Sequence, residues 1–234
     1  MIRRLSCFAL LLIAIEAHAQ TYPAKPIRLV VPFPAGESVD ATARLVGQSW
    51  SAALGQQILV DNRGGAGGTI GGSGLHLIAE LFKSVAGIQI VHVPYKDVAQ
   101  ALPEMMSGKV QIAFNTIPAF LPHVKAGRLK ALAITASACS PLLPDVPVMT
   151  EAGLAGVQGG SWHAVVAPAG TPRAIIERLN QTLVATISVS ELRNQLLNQG
   201  AQPVGGSPEE LRKFMQTEGE KWGRVIQSSG ARAD

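Results

Sequence analysis

One stretch constrains the chain more than any other: Leu29-Val30-Val31-Pro32-Phe33-Pro34-Ala35-Gly36-Glu37-Ser38-Val39-Asp40-Ala41-Thr42-Ala43-Arg44. Ile27 to Val31 is a short, unbroken apolar run of the kind that forms a parallel strand covered on both faces. Pro32 and Pro34 cannot donate to a ladder, so the strand must end there. Gly36 allows the turn. Ser38 is placed to cap a helix, and Asp40 falls in the first turn, where a negative charge meets the positive end of the helix dipole. Val39, Ala43, Val46, Trp50 and Leu54 recur at helical spacing on one face. A strand that feeds a helix through such a loop presents backbone N–H groups suited to a carboxylate or phosphate. The same pattern also suits an ordinary strand-to-helix turn.

The N-terminus reads as an export leader. Arg3 and Arg4 precede an apolar run from Phe8 to Ile15, and Ala17-His18-Ala19 forms a small-x-small cleavage site. The run is too short to span a bilayer. Cys7 lies inside the leader, so cleavage after Ala19 leaves Cys139 as the single cysteine and no internal disulfide. The formal charge is +4 with 15% charged residues. No cluster of lysine and arginine interleaved with aromatics is present, which argues against nucleic acid as a partner. Histidines 76, 92, 123 and 163 lack metal-ligand spacing, and no cofactor or metal is expected.

Strand and helix patterns alternate along the remainder. Gln57 to Asp61 reads as a second strand, and seven glycines follow between Gly64 and Gly74 in no nucleotide-binding arrangement. Helical spacing covers Leu75 to Ala86, Val98 to Ser107 (with Pro103 inside it) and Ile117 to Ala126. Ile88 to Val93, Val110 to Phe114, Leu129 to Thr135 and Ser161 to Ala167 read as strands, and Val148 to Ala152 as a short helix. Thr171 is expected to cap a helix with Pro172 at its first position. That helix runs to about Ile187, and Glu191 to Asn198 continues in the same pattern. Ser207-Pro208-Glu209-Glu210 is a capping box before a last amphipathic helix carrying Leu211, Phe214, Trp222 and Val225. Alternation with short connections predicts a parallel α/β sheet.

Several segments, in order, resemble one family. They are Tyr22 to Arg28, Val31 to Arg44, Val60-Asp61-Asn62-Arg63 with its glycine run, His92-Val93-Pro94-Tyr95-Lys96, Ala126 to Ala133, Leu143 to Pro147, and Ala167-Pro168-Ala169-Gly170-Thr171-Pro172. Together they are similar to the extracytoplasmic solute receptors of tripartite tricarboxylate transporters, also called Bug receptors. The resemblance implies an α/β fold of the two-lobed periplasmic binding-protein type, with a small carboxylate gripped in the cleft and a membrane permease as the receptor's partner. It implies a periplasmic, monomeric, non-catalytic protein.

By the same resemblance, the ligand would be held by Phe33, Ala35, Gly36, Ser38 and Asp40 in the first loop and by Gly72, Ser73, Gly74 and His76 before the second lobe's first helix. Tyr95 and Lys96, Asn115 and Thr116, and Ser161 and Trp162 match other cleft-lining motifs. Converging N–H and hydroxyl donors beside an aromatic wall suit a carboxylate. Three positions depart from the family pattern. Glu37 and Asp97 stand where glycines are usual, and Gly72-Ser73-Gly74-Leu75-His76 lacks one hydroxyl. The chain also passes directly from Gly71 to Gly72, where the family carries further strands and helices of the first lobe and the strand entering the second. The expected division is therefore a leader at 1–19, an incomplete first lobe at 20–71 and 161–234, and a second lobe at 72–160.

Two other functions compete with a receptor. A shortened receptor remnant without binding activity follows from the missing segment. An exported hydrolase rests only on Ser161 and His163, which lack a nucleophile-elbow motif because no glycine follows at the required spacing.

Overall fold

The computed structural model describes residues 22–33, 35–36, 38–63, 74–95 and 98–231. The leading apolar run forms strand β1 (Ile27–Val31), and helix α1 (Ser38–Leu54) follows it. Strand β2 (Ile58–Asn62) pairs with β1 in parallel, from Ile27 opposite Ile58 to Val31 opposite Asn62. Helix α2 (Gly74–Ala86) then opens a run of helices: α3 (Val98–Met106), α4 (Ile117–Lys125), α5 (Arg173–Ser188), α6 (Ser190–Asn198) and α7 (Pro208–Ser229).

The first layer is built on α1. Its buried residues Asp40, Gly47, Trp50 and Leu54 fall on one stripe. At Gly47 an added Cβ would lie 3.3 Å from Ile58 Cγ2, so glycine lets the helix sit close against β2. Ser51 fixes the register, since its hydroxyl donates to the Gly47 carbonyl at 2.7 Å and accepts from the Ile58 N–H at 2.9 Å. Trp50 is 3% exposed, and its indole N–H donates to Thr182 Oγ1 at 2.9 Å, which ties α1 to α5. Val189 closes α5 and opens α6, whose Leu192 and Leu196 are buried. At the far end of α6, an added Cβ on Gly200 would meet the Pro118 ring of α4 at 2.7 Å, so the two elements touch there.

A second cluster gathers around α2 and α7. Ile78 and Val225 are buried, and Phe82 tilts against Phe114 with ring centroids 5.4 Å apart. Trp222 of α7 presses on the backbone at Gly159, where an added Cβ would lie 2.7 Å from the ring. Ile134 pairs with Val148, and the Gly159 N–H donates to the Thr135 carbonyl at 2.9 Å. Val157 is fully buried among these segments. The capping box forms as the sequence predicts. Ser207 Oγ accepts from the Glu210 N–H at 3.2 Å, and the Glu210 carboxylate accepts from the Ser207 N–H at 2.7 Å.

Four strand expectations are corrected. Ile88–Val93, Val110–Phe114, Leu129–Thr135 and Ser161–Ala167 form no ladder among the described residues, apart from the single bridge at Ile134. Residues 88–95 and 157–168 nonetheless run without a helix, turn or bend. A parallel ladder needs a neighbour brought from far along the chain, which apolar β-branched composition alone does not supply. Val148 to Ala152 is a turn and not a helix, because Val148 is taken up by its bridge to Ile134. Pro172, not Thr171, is the cap of α5, since the Thr171 hydroxyl donates to the Pro168 carbonyl instead. Ser38 is the first residue of α1 and so lies one position inside the expected cap.

The two-stranded sheet is covered by α1 on one face only. Val30 and Leu59 on the other face are 50% and 51% exposed.

Candidate functional site

The loop between β1 and α1 is held by one carboxylate. Asp40 is 3% exposed. Its Oδ2 accepts from the Gly36 N–H at 2.8 Å and from Arg44 Nε at 3.1 Å, and its Oδ1 accepts from Asn62 Nδ2 at 2.9 Å. Asn62 extends the network, because the same amide nitrogen donates to the Phe33 carbonyl at 3.2 Å and its Oδ1 accepts from Arg44 Nη2 at 2.8 Å. The end of β2 is thereby tied to the loop that follows β1. The Arg44 guanidinium, then the Gly36 N–H and the Asn62 amide, hold the Asp40 carboxyl at about 2, below its ordinary value of 3.8. Asp40 is therefore ionised at neutral pH, with its oxygens already engaged.

This changes the expected role of two residues. The Gly36 N–H serves Asp40 and so is not left for a ligand. Asp40 shapes the loop. The donors that a helix cannot bond internally are the first amides of α1, which stand at the end of this loop. Gly36 adopts φ +91°, a conformation costly for any side-chain-bearing residue.

The other sequence-predicted residues take local partners. Ala35 and Ser38 are exposed beside the loop. Gly74 opens α2. His76 stacks on His92 with centroids 4.1 Å apart and planes 14° from parallel, and its Nε2 lies 3.6 Å from Glu80, which also accepts from Lys83 at 2.9 Å. The Tyr95 hydroxyl donates to Glu104 at 2.6 Å, and this bond raises the tyrosine's pKa. Asn115 Oδ1 accepts from the Thr116 N–H at 2.7 Å at the start of α4. Trp162 meets Phe214 edge-on at 5.3 Å, and Ser161 precedes it as an exposed residue. Gly72, Ser73 and Lys96 lie outside the described residues, as do Glu37, Asp97 and the leader. The structure thus joins the first-loop residues by hydrogen bonds and disperses the rest among neighbours of their own.

Arg44 and Asn62 were not singled out as site residues from the sequence. Arg44 closes the motif segment Val31 to Arg44 and Asn62 lies inside Val60 to Arg63, and membership in those segments was the available signal. No hydrogen bond joins Ser161 to His163 among the described residues, and no cluster of histidine, cysteine and acidic groups there could hold a metal ion. No described helix is long and apolar enough to cross a membrane. A groove of about 580 Å³ opens between α1, α5 and α6, and none of the predicted residues lines it.

The architecture is that of the periplasmic binding proteins. A Rhodopseudomonas palustris protein, Rpa4515, whose structure contains adipate, superposes with a TM-score of 0.73 at 26% identity, covering 90% of this chain and 99% of that one. The description of the tripartite tricarboxylate transporter family receptor matches residues 71–231, and the chain belongs to that family. BugT of Bordetella pertussis is 28% identical over 306 positions, taking in 94% of this chain and 94% of its own. A protein encoded in the clcB-clcD intergenic region of Pseudomonas knackmussii is 28% identical over 156 positions, taking in 66% of this chain and 92% of its own. Members of the family are solute receptors of the periplasm and are not catalysts.

Proposed function

We propose that this protein is an exported receptor that captures a small dicarboxylate or related acid for a membrane permease. The observation that carries this reading is the Asp40 network, which ties the β1–α1 loop to the end of β2 and orients the start of α1. Backbone amides at a helix start, beside a buried carboxylate whose charge is already paired with Arg44, suit a small anion. The adipate found with Rpa4515, a relative in fold at 26% identity, fits that chemistry.

In this reading Phe33, Ala35, Gly36 and Ser38 frame the carboxylate, and Asp40 positions them. Gly72, Ser73, Gly74, His76, Tyr95, Lys96, Asn115, Thr116, Ser161 and Trp162 line the opposite wall. The lobes divide at 20–71 with 161–234 against 72–160, and α7 bridges them, because it packs on α2. The leader at 1–19 directs export, and the receptor works as a monomer.

Calorimetry with a panel of linear dicarboxylates, tricarboxylates and acidic amino acids tests the proposal. Binding of one member with micromolar affinity supports it. A chain that melts cooperatively and releases no heat with any of them overturns it. The exposed sheet face of Val30 and Leu59 favours a second reading, a shortened receptor that does not bind. A cooperative melt together with ligand heat excludes that one.

A further inference from the structure

Arg44 stands one helical turn after Asp40 on α1, and its guanidinium folds back onto the loop. Nε donates to Asp40 Oδ2 at 3.1 Å, and Nη2 donates to Asn62 Oδ1 at 2.8 Å. Those two nitrogens share one edge of the planar group, so that edge is spent on holding the loop. A guanidinium carries five N–H groups, and three remain: one on Nη2 and two on Nη1. Among the described residues Nη1 meets no acceptor, and the side chain is 53% exposed. The outer edge is therefore a two-nitrogen fork that faces solvent and is fixed in direction from behind.

The neighbouring arginines offer nothing equivalent. Arg28 and Arg63 lie 3.7 Å and 3.1 Å from Asp61. Side chains alternate along β2, so Asp61 points away from the side on which Asn62 meets Asp40 and Arg44, and the two arginines follow it. Asp40 and Arg44 are the only charged residues of α1. Asp40 is buried with both oxygens engaged, which leaves Arg44 as the helix's one charge in contact with water. A surface arginine ordinarily gives up rotamer freedom to grip an anion. Here two hydrogen bonds have already fixed the side chain, and a planar fork matches the two oxygens of a carboxylate.

On the receptor reading given above, we infer that Arg44 is a solute contact that sets specificity: its outer fork takes one carboxylate of the acid, and the first amides of α1 take the other. The amides alone would accept any small anion, a monocarboxylate included. The fork adds a second charge-assisted grip that only a dianion can use. The receptor therefore selects dicarboxylates over monoanions of the same length. An arginine that only held Asp40 and Asn62 in place would support both classes of anion equally.

The test titrates linear dicarboxylates from malonate to adipate into the parent chain by calorimetry, each against its own monoamide, which has the same length and one charge fewer. The expected preference for the tightest-binding diacid is about tenfold or more. Arg44→Lys keeps a cation beside Asp40 and loses the fork. It should bind that diacid about tenfold more weakly, leave the monoamide's affinity within about threefold and melt within a few degrees of the parent. Arg44→Gln should likewise bring the two affinities together. A nitrogen–proton spectrum of the parent's guanidinium groups needs no variant: one arginine signal should shift with the diacid and stay in place with the monoamide. A parent chain that binds no acid overturns the receptor reading and this inference with it. A parent that binds without preferring the diacid, that keeps the preference in Arg44→Lys, or that shows no arginine signal moving overturns the inference alone.

Discussion

The side-chain amide of Asn62, at the end of β2, donates to Asp40 Oδ1 at 2.9 Å across 22 residues of chain. It also reaches the Phe33 carbonyl, so one amide holds both the loop and the carboxylate that organises it. Asn62→Ala leaves Arg44 and Gly36 on Asp40 but frees the β2 side of the loop. The expected outcome is a melting temperature lower by several degrees and weaker solute binding. Asp40→Ala removes every anchor at once and should lower both further. Calorimetry and thermal melting of the two variants check the order.

Acid should expose the same carboxylate. The Asp40 carboxyl lies at about 2 in the folded chain against an ordinary 3.8. Its folded pKa is depressed, so its contribution to stability is complete above pH 3.8 and disappears as the pH falls toward 2. Asp40→Asn should flatten that part of the stability curve. Urea melts between pH 5 and pH 2 for both proteins, read by circular dichroism, provide the comparison.

Trp50 combines burial with a hydrogen bond to Thr182. Trp50→Phe keeps most of the packing and loses the indole N–H. The Thr182 hydroxyl still donates to the Arg178 carbonyl at 2.9 Å, so the expected loss is modest, ~1 kcal/mol. Trp50→Ala should cost ~3–5 kcal/mol through the cavity it leaves. Denaturant midpoints with an unchanged slope would show that only stability moved.

Two glycines should respond in opposite directions. Gly159→Ala drives a methyl into the Trp222 ring, whose indole N–H is fixed on Glu218 at 2.8 Å, and should destabilise by ~1–3 kcal/mol. At Gly219, inside α7, an added Cβ meets nothing within 4 Å, so Gly219→Ala should stabilise by ~0.5–1 kcal/mol. Thermal melts of the pair separate packing of α7 on the Gly159 backbone from helix propensity.

Gly36→Val tests the loop without a steric clash, because no atom lies within 4 Å of the added Cβ. The penalty comes from the positive φ alone. The expected effect is at least a tenfold loss of carboxylate affinity with a smaller change in melting temperature. Equal affinity to the parent chain would place the grip away from this loop.

The helices were legible because each carries its own signals. The spacing of Val39, Ala43, Val46, Trp50 and Leu54 marked the inward side of α1, where Trp50 and Leu54 are buried and the other three half-buried, and Ser207 with Glu210 announced the start of α7. β1 and β2 were legible because each pairs with the other across a single helix. Ile88–Val93 and Ser161–Ala167 have equally good strand composition and form no ladder among the described residues, since composition specifies a preference and not the presence of a neighbour. The same limit applies to the site. The sequence placed Asp40 correctly at the start of a helix, but its long-range partner, Asn62, lies 22 residues away and became visible only in the fold. Trp162 was expected in the cleft wall, and the structure sets its ring against Phe214 of α7.

The half-exposed Val30 and Leu59 also make concentration a governing variable. A short parallel pair with two open margins is a template for any extended peptide that meets it, including another copy of itself. Encounters between copies rise with the square of abundance. Overproduction should therefore drive the product toward insoluble material, and yield should recover at low expression.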